Sequence, residues 1–281
     1  MLHASDAMQT TIRLSYHQRI ITINLDSMNT TLRLAIVLIV AIAVAAVAGD
    51  DAKTAAAKVD AFLEQGNVQE AKKVLDANYA PAQKEYELLY RFSRVNVLLG
   101  DMQPSENEKE AYYYEAKRYA DLAIALNPNG MMGYIRRAAA SGKVALFKGV
   151  LSVRELVLSA KEDAEKAIAL NNTTPQNLAT AYYILGRTHL KLSETAKAKR
   201  MLVGLGWGNL DDAITNLKKA VELRNGFVLF HLDYARALIA KENYTEARTH
   251  LQNIANMRFQ EFGDNQRKQE AQQLLTSIQG K

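Results

Sequence analysis

From residue 52 to the C-terminus, small and apolar residues return at intervals of three and four, a spacing that places them on one face of an α-helix. One version of the pattern occurs five times, with members four and seven positions after the first. The copies are Ala71, Leu75, Asn78; Ala116, Ala120, Ala123; Ala160, Ala164, Ala167; Ala213, Leu217, Ala220; and Ala247, Leu251, Ile254. Three of them run into similar exits, LAIALNPN, KAIALNNT and KAVELRNG, where Asn, Pro or Gly stops a helix. Most are preceded by another helical stretch with a small residue of its own, at Ser93, Ala138, Gly186 and Ala235, which lets paired helices approach closely. Amphipathic hairpins that cannot bury their apolar faces alone must stack on one another. The pattern therefore predicts an all-α helical-hairpin solenoid of about five hairpins with insertions, closed by a capping helix at RKQEAQQLLTSIQ.

These residues resemble the tetratricopeptide repeat family, whose unit is two antiparallel helices over about 34 residues. FHLDYARALIAKENYTEARTHLQNI is the copy that fits best, and EAKRYADLAIALNPN carries a second helix with its exit. Successive anchors are 45, 44, 53 and 34 residues apart, so only the last interval has the family period. Insertions are expected at 103–110, around 149–157 and at 193–209. With GKVALFKGV before one second helix and a long first helix after AYYILGR, the arrangement is similar to the repeat domain of the regulator of microtubule dynamics family and its bacterial relatives. The likeness implies the fold. An exported chain would not meet microtubules.

Export is expected from a different pattern upstream. Residues 34–48 are an unbroken run of Leu, Ile, Val and Ala, preceded by Arg33 and followed by Gly49, Asp50 and Asp51. A basic start, an apolar middle and small residues at Ala46-Val47-Ala48 have the order of a secretory signal. The run falls short of the roughly 20 residues that span a bilayer core, so cleavage is expected over permanent anchoring. Met28 begins an ordinary signal. Residues 1–27 are accordingly expected to be a non-native upstream extension, 28–48 a signal peptide or signal-anchor, and 49–281 the repeat domain. The expected location is the periplasm, or the inner membrane if the segment stays attached.

Composition narrows the chemistry. No cysteine is present, which excludes disulfides, thiolate metal sites and a cysteine nucleophile. The net charge of +5 comes from Lys and Arg interleaved with Asp and Glu, so no nucleic-acid stripe or polybasic membrane patch is expected. His3, His17, His189, His231 and His250 form no metal pair at helical spacing, and no zinc motif occurs. Gly204, Gly206 and Gly208 miss the dinucleotide fingerprint, and Gly142-Lys143 is followed by Val144, so it is no phosphate loop. No serine lies in a nucleophile elbow. The expectation is a non-enzyme without metal or cofactor that holds a protein or peptide partner. A ligand-holding periplasmic component of a solute or lipid transport system is the alternative.

Two places could hold that partner. By resemblance, first helices line the concave face. Arg94, Ala139, Arg187 and Arg236 follow the small residues, and Tyr90, Ile135, Tyr183 and Leu232 stand one turn before them. Arginine beside tyrosine suits an acidic peptide, because guanidinium forks grip carboxylates and aromatic rings supply contact area at low entropic cost. The competing reading pairs these arginines with acids on adjacent helices. The second place is the loop at 201–209, where Leu205 and Trp207 either fold over their own hairpin or protrude as a contact.

Overall fold

A computed structural model describes residues 11–16, 19–24, 51–79, 84–149 and 151–281, and divides into two units, Met1–Gly49 and Asp50–Lys281. In the first unit, β1 (Thr11–Tyr16) and β2 (Arg19–Asn24) form an antiparallel hairpin, with Thr11 opposite Asn24 and Tyr16 opposite Arg19. The apolar run at 34–48 lies outside the described residues. Among the described residues, no helix is long and apolar enough to cross a membrane.

In the second unit the described regular elements are all helices. They are α1 (Ala52–Glu64), α2 (Val68–Ala77), α3 (Tyr86–Met102), α4 (Glu106–Leu126), α5 (Met131–Lys148) and α6 (Arg154–Leu170). There follow α7 (Pro175–Ser193), α8 (Lys197–Leu202), α9 (Leu210–Leu223), α10 (Val228–Ala240), α11 (Tyr244–Ala255) and α12 (Asp264–Ser277). Local chemistry sets many of the starts. Asp51 accepts from the backbone N–H of Lys53 and Thr54, Ser105 from Glu108, Thr174 from Asn177 just after Pro175 begins α7, and Asn209 from Asp212.

The helices pair as five hairpins, α1 with α2, α3 with α4, α5 with α6, α7 with α9, and α10 with α11, while α12 packs on the last two. Every member of the five sequence anchors is buried, including Asn78. The small residues of the first helices explain the close packing. Ser93, Ala138 and Ala235 have no exposed surface, and a Cβ on Gly186 would stand 2.8 Å from Leu217 Cγ and 2.9 Å from its backbone nitrogen. The solenoid also curls. Gly66, in the left-handed turn between α1 and α2, lies so near Phe259, in the segment before α12, that a Cβ would approach its ring to 3.0 Å.

The insertions differ from expectation. Only residues 103–105 lie outside helix in the first, because α3 and α4 lengthen to 17 and 21 residues. In the second, Gly149 at φ 85° ends α5 and α6 starts at Arg154. The third is a true excursion that contains α8 and the glycine-rich loop.

Candidate concave binding site

The inner surface of this unit forms a half-open cavity of about 1170 Å³. The first helices α1, α3, α5, α7 and α10 all contribute to its wall, and one end is formed by α12 with the segment before it. Tyr90, Arg94, Tyr183, Arg187 and Arg236 line it as the repeat register anticipates. Ile135 does not. It is fully buried in the core.

The arginines fall into two groups. Arg187 and Arg236 both pair with Asp233, which has no exposed surface, and Arg236 also reaches Glu270 on α12. Tyr183 donates to Asp233 at 2.8 Å and accepts from Arg187 at the same distance. Burial alone would raise the Asp233 carboxyl, but Arg187 and Arg236 overcome this and hold it below the ordinary carboxylate range. Tyr90 sits in an equivalent device, donating to Glu87 at 2.6 Å and accepting from Arg91, whose guanidinium also binds Asp60. At these places the pairing between helices anticipated as the competing reading is what the geometry contains.

Arg94 belongs to the other group. Neither it nor Arg136, on the next first helix α5, has a hydrogen-bond acceptor or ion-pair partner among the described residues, and the Nε of Arg136 is closed off without an acceptor. Among the described residues Arg224, at the end of α9, has as side-chain partners only the neutral amide oxygen of Gln260 at 2.9 Å and the face of Phe227 at 3.8 Å. Burial first, then repulsion by Arg94, brings the Arg136 guanidinium down to about 9. Burial also lowers Arg224, with Arg94 adding to the effect against the pull of Glu261. The other arginines and lysines lining the cavity have acidic partners: Arg91, Lys143, Arg187, Lys191, Arg236 and Arg267.

Sequence reasoning missed Arg136 and Arg224, though each left a trace. Arg136 stands two residues before Ala138, a position not considered as wall-lining, and Arg224 replaces the Asn that ends the equivalent helices at Asn127 and Asn171.

The loop at 201–209 folds back. Leu205 is fully buried with Ala145, Val157 and Leu192, and Trp207 packs half-buried on this cluster, 5.0 Å from the His189 ring and under Lys161. The exposed apolar side chains of the insertion are instead Met201 and Leu202 on α8. His231 and His250, far apart in sequence pattern, meet with their Nδ1 atoms 2.9 Å apart, and burial, then His250, pushes His231 down to about 4. Among the described residues no group of three or more His, Cys, Asp and Glu could hold a metal ion.

A family model described as regulator of microtubule dynamics protein 1-3 matches residues 55–279. Regulator of microtubule dynamics protein 3 of Rattus norvegicus is 26% identical over 173 residues, which is 59% of this chain and 36% of that protein. The Mus musculus protein is 25% identical over the same shares. The chain thus spans about a third of the length of these relatives. Among solved structures, a thermophilic tetratricopeptide repeat protein from Thermus thermophilus is 15% identical, with 79% of this chain and 99% of that one covered at a TM-score of 0.56. That likeness is one of fold.

Proposed function

Because the chain belongs to the regulator of microtubule dynamics family, and its fold is that of a tetratricopeptide solenoid, we propose that it is an interaction scaffold that holds an extended protein segment in its concave cavity. The observation that carries this reading is the cavity itself. Five successive first helices face it, and its wall mixes apolar groups such as Val97, Met132 and Leu229 with charged ones. Such a surface offers contact along a chain rather than one convergent cluster of titratable groups. Holding, not transformation, is its chemistry.

Location is the second part of the proposal. The order of residues 33–51 supports export, with the domain beyond the inner membrane, released or tethered. In that compartment the partner differs from the one in the relatives' name.

The test is site-specific photo-crosslinking in the native envelope, with the reactive residue at Val97 in the cavity or at Lys73 on the outer helix α2. Protein adducts from Val97 that are absent from Lys73 are expected. Adducts of equal yield from both positions, or none from Val97, would rule the scaffold reading out. Fractionation of the same cells tests the location, and recovery in the cytoplasm would exclude export.

A further inference from the structure

We propose that Arg94, Arg136 and Arg224 form an anion site that grips the carboxylates of an acidic peptide segment, a reading that rests on the scaffold role above and names the chemistry of its partner. These three stand apart from the other cations of the wall. Other cavity arginines and lysines have carboxylate partners, whereas Arg94 and Arg136 have no acceptor among the described residues and Arg224 has a neutral one. A guanidinium offers five donors and cannot shed its proton at neutral pH, so three of them facing a shared cavity without a carboxylate partner carry a cost. The Nε of Arg136 is the sharpest sign, since it is withdrawn from solvent and bonded to nothing.

All three line the same cavity. Arg94 is close enough to disfavour the charge on both Arg136 and Arg224. The carboxylates nearest the site do not neutralise it. Asp60 is engaged by Arg91, Glu261 and Asp264 are engaged by Arg267, and Glu64 lies exposed at the end of α1. A ligand with carboxylates along an extended chain answers both the charge and the shape. Its anionic groups would take the unused guanidinium edges, and its apolar side chains would meet Val97, Leu98 and Leu229.

Fluorescence anisotropy with a labelled hexaglutamate peptide tests the site at low salt, with hexaglutamine, inorganic phosphate and phosphatidylglycerol vesicles as separate probes. Hexaglutamate is expected to bind, to lose about tenfold in affinity on Arg94→Gln or Arg136→Gln, and to be indifferent to Arg258→Gln, an equal change of charge at an exposed position outside the cavity. Hexaglutamine should not bind. Removing an unpaired charge should leave thermal unfolding of Arg136→Gln at or above the wild-type temperature, so lost binding is not lost folding. Failure of hexaglutamate to bind, equal binding by the variants, or capture of phosphate or vesicles in its place overturns the proposal. The Val97 crosslink separates the two readings. Protein adducts that persist unchanged in Arg136→Gln leave the scaffold standing without this anion site, and their absence from the unsubstituted protein removes the scaffold itself.

Discussion

Asp233 has no exposed surface, yet it carries a negative charge because guanidiniums from α7 and α10 converge on it and a tyrosine hydroxyl donates to it. Removing one partner from such a cluster leaves the others buried and uncompensated, which costs about 3 kcal/mol or more. Asp233→Ala is therefore expected to lower the urea midpoint strongly at unchanged slope, since Arg187 and Arg236 would then face each other. A midpoint equal to wild type would show that Tyr183 and Glu270 suffice to hold them. Residues of this kind limit what a sequence reveals. The positions of Arg187 and Arg236 beside the cavity follow from repeat register. Their engagement follows from Asp233, which sits two residues before Ala235 where Arg136 sits two before Ala138. Whether an arginine is free or spent depends on charges contributed by neighbouring helices, and those depend on rotation about each helix axis, which residue spacing fixes only coarsely.

At the scale of elements the periodicity was far more informative, because burial depends on a face rather than on one side chain. All five anchors are buried, and the expected hairpins and terminal helix are present. The departures have local causes. Residues 103–110 read as an insertion because the period is exceeded, but Ser105 caps a new helix at once and the surplus is spent as extra turns in α3 and α4. Gly186 illustrates how tightly such elements meet. A methyl group there would press on Leu217, including its backbone nitrogen, so the two helices would have to separate. Gly186→Ala is expected to destabilise by about 2 kcal/mol through overpacking. Gly142→Ala, inside α5 with nothing within 4 Å of the new carbon, should stabilise by roughly 0.5 kcal/mol or more by restricting the unfolded chain. Equilibrium unfolding of the pair checks both, and equal effects in the same direction would contradict the close approach of α7 and α9.

For the repeat unit as a whole, α12 serves two functions that a terminal helix in a straight solenoid would not combine. It covers the apolar side of the last hairpin, burying Ala271 and, just past its end, Ile278. It also supplies Glu270 to Arg236 and places Arg267 in the cavity wall, while the preceding segment carries Phe259 to the turn at Gly66. A chain ending at Met257 should therefore lose more than a cap. Uncovered apolar surface on α10 and α11 is expected to bind a hydrophobic dye and promote self-association in sedimentation experiments. The loss of Glu270 leaves Asp233 to balance both Arg187 and Arg236 alone. Because Arg94 and Arg136 are carried by α3 and α5, which the cut leaves intact, the truncated chain should keep its helicity over α3 to α6 and retain measurable, weakened affinity for hexaglutamate. A truncated chain that sediments as the full chain does, with unchanged unfolding and unchanged peptide affinity, would mean that α12 is neither cap nor wall.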